Sequence, residues 1–536
     1  MPAYYWLCKK KPYRHVTKTR LNKIIMNTKK TIGIMAFLSA MGALAGVITS
    51  IIMANYFGTS RELEVYFAAI SLLTVISSMS QANALGDIFL PQYHQLASEL
   101  GKEQARRAFS VLINWMVLVL MLLILIIFHA LPFIVNLFFP GFEQEDKAMG
   151  VDMIRWLLPN LLIITMVQLF RMLLNAESIF GRAEGLATIS RIGSLIATII
   201  LVPIYGIWAL VVVFWIGQLI HIVGYLVILQ KENYQHHLIL RHEKFNVSAL
   251  FKKTFFTFGL VSATQIYRLI FNAALTMLPQ GYFAIYNYAQ QITGQVNALL
   301  LRPISTVFFT QCSKAIAAGA SSIRKLADEA LALMLLITSS LIVLALTSAE
   351  NIFIGLWGGE SFAEAEIAVA AMVIKFKLFL VLIIGLGSML RKVTLASGYT
   401  NSYFTIAIIV RLICTAIAWP LITKFGFNGL LLAMFLTSAL TNAGFGLPLF
   451  IWKRDFFIFY NIKLLTKWFA VIVIGYMAGD ILCDYIYLSD ADRIESFAIG
   501  TIVGMLSLLL ALCSAWVLNI KEVRLLFSRL KGLLPI

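Results

Sequence analysis

Apolar runs of about twenty residues recur from one end of this chain to the other, each long enough to cross the hydrocarbon core of a bilayer as a helix. They fall near 31–56, 65–91, 108–130, 153–174, 185–204, 207–229, 250–278, 281–309, 326–348, 366–389, 402–422, 427–450, 464–486 and 496–519, fourteen in all. A backbone in lipid must satisfy its own hydrogen bonds, so only helices and closed barrels span, and barrel strands would read as alternating segments of about ten residues. The chain therefore reads as an all-α integral membrane protein with about 14 transmembrane helices. Its 13% charged residues fall well short of the roughly 25% of an ordinary soluble chain. No loop exceeds about 25 residues, which leaves no room for a soluble catalytic domain. The cysteines, Cys8, Cys312, Cys414, Cys483 and Cys513, lack the spacing of a disulfide framework or a zinc site.

The net charge of +17 is sorted by loop. Alternate loops carry Lys102, Arg106 and Arg107, then Lys231, Arg241, Lys244, Lys252 and Lys253, then Arg324 and Lys325, then Lys453, Arg454, Lys463 and Lys467, and finally Lys521, Arg524, Arg529 and Lys531. The intervening loops hold the acids, among them Glu143, Glu145, Asp146, Glu350, Glu360, Glu364, Glu366, Asp484, Asp490, Asp492 and Glu495. Because basic loops stay in the cytoplasm, the pattern requires an even number of spans with both termini inside, and it accounts for the charge without a nucleic-acid partner. Residues 1–30 are basic, hold no acid and lack the features of a secretory signal. They read as a cytoplasmic arm for anionic lipid, or in part as an over-long start ahead of Met26.

Short strings return after 214 to 220 residues. YFA at 66–68 recurs at 282–284, QANAL at 81–85 as QVNAL at 295–299, and FLPQ at 89–92 as FFTQ at 308–311; Arg155 falls on Lys375, Arg171 on Arg391 and Arg191 on Arg411. A shift of six helices preserves orientation, so the chain divides into two pseudo-symmetric six-helix lobes plus a C-terminal helix pair. The expected organisation is an arm at 1–30, an N-lobe at 31–230, a cytoplasmic linker at 231–249, a C-lobe at 250–450, helices 13 and 14 at 451–519, and a basic tail at 520–536. Two rigid halves of this kind suit rocking about a central site.

The second span is polar in its middle, with Ser77, Ser78, Ser80, Gln81, Asn83 and Asp87. Such groups are costly in hydrocarbon, so this helix should face a cavity or another helix. The 131–152 loop, with FFPGFEQED, is expected to lie in the outer interface.

Several local strings resemble the lipid II flippase family, MurJ or MviN, within the MOP superfamily that includes O-antigen flippases and MATE exporters. They are YFG at 56–58, an acid followed by VYFAA at 64–69, FLP at 89–91, PGF at 140–142 and IRWLLPNLL at 154–162. The resemblance implies the two-lobe transporter plan. That family holds a pyrophosphate with arginines in its first, second and eighth helices; the matching positions here are Ala43 and Thr49, Ser77 and Ser78, and Gln291. Glu64 keeps the acid at the top of the second helix. The resemblance thus implies a flippase whose cargo is another lipid-linked saccharide, such as an O-antigen or exopolysaccharide unit.

Ionisable groups inside spans are site candidates. Arg268, flanked at helical spacing by Gln265 and Asn272, is the leading phosphate ligand; Arg302, Ser77, Ser78, Gln81, Asn83 and Gln291 complete the expected substrate lining. The alternative for Arg268 is a packing ion pair. Asp87 and Glu64 are candidates for gating or coupling, Asp87 through an ion pair with Arg302 that sequence cannot tell from a static one. Arg155, Lys375 and Lys377 are expected to snorkel toward headgroups, and His221 to pack. No catalytic residue, metal site or cofactor is indicated; membrane potential, sodium and protons stay open as driving forces.

The expected function is movement of a lipid-linked saccharide precursor across the bacterial inner membrane by alternating access, by a protein acting as a monomer and not as an enzyme. The alternatives are a lipid II flippase proper, a cation-coupled MATE-like exporter, which would place acids deep in the lobes, and a multispan glycosyltransferase or polymerase, for which Asp490-Ala491-Asp492 is the only DxD-like string.

Overall fold

In the computed structural model the described residues are 18–524 except 80–81, 178, 318–323, 359–361, 397–399, 453–461, 487–492 and 521–522. Gln81 and residues 1–17 of the basic arm lie outside them, as do the side chains of Asn83, Asp87 and Arg302, so the Asp87–Arg302 pairing lies outside them too. The described chain is almost wholly helical, and its one isolated β-bridge, His242 with Phe245, sits in a loop.

The first apolar run is α1 (Lys18–Phe57), which continues back through residues 18–30 as helix. The second run is covered by α2 (Arg61–Met79) and α3 (Ala82–Leu100), on either side of residues 80–81. The third is α4 (Lys102–Phe138). The fourth is α5 (Gln144–Leu157) and α6 (Asn160–Ala176), bent by 44° at Pro159, which has no N–H to continue the ladder. Then come α7 (Phe180–Tyr205), α8 (Trp208–Lys231) and α9 (Val247–Thr276). The eighth run is α10 (Tyr282–Val296), a π-helical turn (Asn297–Leu301) and α11 (Arg302–Ala317). Pro303 cannot donate back to the preceding turn, which disrupts the regular ladder there. The second QxNAL string, at 295–299, thus runs into a break in the C-lobe.

Next are α12 (Arg324–Trp357), α13 (Glu364–Ala396) and α14 (Thr400–Trp452). The 53 residues of α14 would reach about 80 Å if straight, far beyond a core of about 30 Å. The chain turns back at Gly426, whose φ of 55° and ψ of −130° suit glycine, so α14 holds the eleventh and twelfth spans. The last two are α15 (Ile462–Ile486) and α16 (Arg493–Val517). By length and composition ten of these helices can cross a membrane, or eleven segments with α5 and α6 taken together. The difference from fourteen comes from the fused α14, the polar seventh run and the eighth run, which the π-helical turn splits into helices too short to count.

Helices α15 and α16 pack on α12 through two glycine pairs, Gly475/Gly479 and Gly500/Gly504. A Cβ on Gly479 would lie 2.0 Å from Thr347 Cγ2, and one on Gly500 2.6 Å from Asn351 Cβ. Small residues spaced by four let helices approach where lipid offers no hydrophobic drive. Arg493 donates to the α12 carbonyls of Gly355 and Leu356 and to Asn55 of α1, tying this pair to both lobes.

One apolar cluster runs continuously from Met53 and Leu63 of the N-lobe to Phe283, Tyr288 and Trp357 of the C-lobe; a second, around Phe89, Phe109 and Leu173, stays within the N-lobe. Phe139 and Phe142 are 4% and 3% exposed members of the shared cluster. Two phenylalanines of the FFPGFEQED turn are therefore packed between helices while Glu143, Gln144 and Glu145 stay exposed, with Glu143 and Asp146 forming the capping box of α5.

Candidate functional site

The lobes meet at the end where α1 turns into α2 and α9 into α10. Glu64, in the first turn of α2, is 1% exposed. Its Oε1 accepts from the backbone N–H of Gly281 at 2.9 Å, Phe283 at 3.0 Å and Ala284 at 3.4 Å, and its Oε2 accepts from Arg61 Nη1 at 2.7 Å. These N–H groups open α10, where unpaired donors and the helix dipole favour an anion. The cap position of α10 is Gly281, which has no side chain to serve them. A carboxylate from the first YFA helix therefore caps its repeat mate in the other lobe.

Neighbouring contacts close the same end. Thr59 Oγ1 donates to Glu366 Oε1 at 2.7 Å, and Tyr288 OH donates to the carbonyl of Gly58 at 3.1 Å. Trp357 Nε1 donates to Ser50 Oγ at 3.3 Å. Gly281 has φ of 93°, and a Cβ there would lie 2.8 Å from Glu366 Oε1. A Cβ on Gly141, in the PGF turn, would fall 1.9 Å from the Thr276 carbonyl oxygen of α9. Arg61 adds a 3.7 Å contact to Asp146 and lies 5.2 Å from the Phe142 ring. Every group here is paired in the closed arrangement, so opening this end must break charged hydrogen bonds and split an apolar core.

Farther along, Asn272 of α9 donates to Ser71 of α2, a further direct link between lobes. Gln265 is 7% exposed and its Oε1 has no partner among the described residues. Ser77 is buried, while Ser78 and Gln291 are half-buried. Arg268 is exposed and forms no ion pair among the described residues, so the packing-pair alternative finds no partner there. Lys377 departs most from expectation. It is 5% exposed and packed inside the C-lobe, where a headgroup-seeking side chain would be open to lipid.

At the basic end Arg106 grips Glu177 with Nε and Nη2, both at 2.8 Å, and donates through Nη1 to the carbonyls of Glu232 and Asn233. Lys102 and Tyr93 also bind Glu177. Burial alone would raise the Glu177 pKa, but these hydrogen bonds outweigh it and hold the carboxyl below its usual range. Asn114 donates to the carbonyls of His237 and Ile239, and Ser110 pairs with Tyr234. The linker between lobes is thus fastened to the N-lobe.

The Glu64 carboxylate, together with the Thr59, Tyr288 and Trp357 contacts, thus closes the lobes at this end. The family model for the lipid II flippase MurJ matches residues 53–513. The chain belongs to the lipid II flippase MurJ family. It is 27% identical over 177 residues to the lipid II flippase MurJ of Thermosipho africanus, a stretch covering 33% of this chain and 36% of that protein. It is 22% identical over 359 residues to a probable lipid II flippase MurJ of Buchnera aphidicola, covering 65% of this chain and 70% of the relative. A solved lipid II flippase MurJ in an inward closed conformation superposes with a TM-score of 0.72 at 21% identity, covering 89% of this chain and 97% of that one. An inward-facing MATE multidrug resistance transporter of the MOP superfamily gives 0.62 at 12% identity, over 75% and 93%. MurJ membership makes this protein a multi-pass membrane transporter of the lipid-linked flippase class and not an enzyme.

Of the residues chosen from sequence, the structure brings Glu64 and Asn272 to the lobe boundary and leaves Arg268 without a counter-ion among the described residues. Sequence reasoning missed Thr59, Ser71, Gly281, Tyr288 and Glu366. The one available signal was asymmetry in the repeat: Glu64 stands two residues before the first YFA, whereas Gln280 stands two before the second.

Proposed function

We propose that this protein carries a saccharide linked through phosphate to a polyprenyl lipid from the cytoplasmic to the outer leaflet of the bacterial inner membrane, by rocking of its two lobes. The observation that carries the reading is the Glu64 clasp. One buried carboxylate holds three backbone donors of the opposite lobe, so it locks only while the lobes are together. By the distribution of basic loops the clasped end faces outward and both termini lie inside, and the expected resting state is then closed to the outside. Arg268 supplies free positive charge for the phosphate on the helix that forms the lobe boundary. The protein works as a monomer, with substrate carried through its own two lobes.

The cargo is proposed to differ from lipid II, since Ala43, Thr49, Ser77, Ser78 and Gln291 stand where the family has arginines. Lipid II itself is the second reading, favoured by the family and by the function that both relatives are named for. Depletion of the protein, with lipid-linked precursors quantified in each leaflet, tests both. Accumulation of an O-antigen or exopolysaccharide precursor inside supports the first, and accumulation of lipid II the second. Normal outer-leaflet delivery of every such precursor sinks the flippase reading. Arg268→Ala is expected to abolish complementation with membrane insertion unchanged; full activity would move the phosphate ligand elsewhere.

A further inference from the structure

Inside the C-lobe, away from the clasp, lies a cavity of about 200 Å³ bounded by α9, α10, the π-helical turn, α13 and α14. Lys377 of α13 is set in its wall. Its Nζ donates to the Tyr286 carbonyl at 3.1 Å and to Gln290 Oε1 at 2.9 Å, and lies 3.5 Å from the centre of the Tyr286 ring. All of these partners are neutral. An ammonium has three donors, and two are accounted for.

No carboxylate among the described residues pairs with Lys377. The nearest acid along its own helix, Glu366, is eleven residues away, about 16 Å, and is engaged with Thr59 at the clasp. A buried cation without a counter-charge is costly, and neutral acceptors offset only part of that cost. The rest of the cavity suits an anion. The Asn297 side chain, at the start of the π-helical turn, has no hydrogen-bond partner among the described residues, and Thr437 presents a hydroxyl that also pairs with Tyr267. Arg411 lies 5.1 Å from the centre of the Tyr267 ring, which also lines the cavity, and adds positive potential from that side. π-helical turns recur at functional sites because they displace backbone groups from the regular ladder. The exposed Gln290 gives the cavity a mouth. The volume far exceeds the roughly 10–15 Å³ of probe space that one water needs, so a polyatomic anion fits.

We propose that this cavity is a binding site for a phosphate-class oxyanion, with Lys377 as its cation and Asn297 and Thr437 as its polar partners. The anion is either free phosphate or the phosphate of a polyprenyl diphosphate. The proposal does not depend on the transport reading, because it is tested by binding.

The test uses the full chain in nanodiscs of phosphatidylcholine at fixed ionic strength, titrated with inorganic phosphate or with farnesyl diphosphate. Melting temperature and equilibrium binding of labelled ligand are followed for wild type, Lys377→Met and Lys377→Arg. At least one of the two probes should bind wild type, with affinity reduced tenfold or more in Lys377→Met and kept within a few-fold in Lys377→Arg. Binding of inorganic phosphate identifies a free-anion site, and binding of farnesyl diphosphate alone a headgroup site; both support the proposal. Without ligand, Lys377→Met should melt no lower than wild type, since the substitution removes an unbalanced charge; a purely structural lysine would give a lower melting point. If Lys377→Met fails to insert, Asn297→Leu replaces it, with binding expected to weaken several-fold while the cation stays. Equal binding to wild type and to the variant, failure of both probes to bind wild type, or equal stabilisation by chloride overturns the proposal.

Discussion

Replacing Glu64 with alanine should unlock the clasped end. The closed arrangement gives Glu64 two good backbone donors, Gly281 and Phe283, a longer one from Ala284, and the Arg61 guanidinium. With a methyl group in its place those N–H groups stay buried and unpaired while the lobes are closed, and are hydrated once the lobes part. An unsatisfied buried backbone group costs about 1–3 kcal/mol. Taking the two short bonds alone, the closed state loses about 2–6 kcal/mol, a shift of roughly 30- to 20,000-fold in the closed-to-open ratio. Glu64→Gln keeps a neutral acceptor but loses charge assistance and the Arg61 pair, so it should fall between wild type and alanine. Spin labels at Tyr56 and Met277, which are 54% and 49% exposed on opposite sides of the junction, would read the separation by pulsed electron resonance. A long-distance population is expected to grow in the order wild type, glutamine, alanine. Identical distance distributions in wild type and Glu64→Ala would refute the argument that this carboxylate holds the lobes together.

Gly281→Ala should open the same end in the same assay, because φ of 93° strains any other residue and the new Cβ would press on Glu366 at 2.8 Å. Gly141→Ala would place a methyl 1.9 Å from a backbone carbonyl, so a lower melting temperature and loss of the closed state are expected, with binding at the distant Lys377 cavity unchanged. Arg106→Ala strands the buried Glu177 carboxylate, and a loss of about 3–5 kcal/mol should appear as a lower melting temperature with faster proteolysis of the 232–246 loop. Glu177 has a depressed folded pKa, so its stabilisation is complete above the unfolded value of about 4.3 and is lost as the pH falls through the lower folded value. Glu177→Gln should therefore be less stable than wild type at neutral pH, with the gap narrowing as the pH drops below about 4.

The helical class, the two-lobe repeat and the transporter family were all legible in the linear chain. The reason is that a bilayer imposes local rules. Each span must be long enough, apolar enough and internally hydrogen-bonded, and each loop must carry its charge on the correct side. Those rules act within about twenty residues, so they leave a trace in the string. They also flagged Glu64 and Arg268, because a charge in an apolar run is conspicuous in one dimension.

What those charges do was settled only by how distant segments meet. Glu64 serves donors 217 to 220 residues away, and nothing near position 64 says that the cap of α10 lacks a side chain of its own. Lys377 reads as a headgroup-seeking lysine in a uniformly apolar run, and only packing against Tyr286 and Gln290 turns it inward. The polar stripe of the second span was visible, but the π-helical turn after α10 came from the folded chain. Length and hydropathy are sums over neighbours and survive in sequence. Which face of a helix meets the other lobe depends on the rotation of every helix between, and that is a property of the tertiary structure alone.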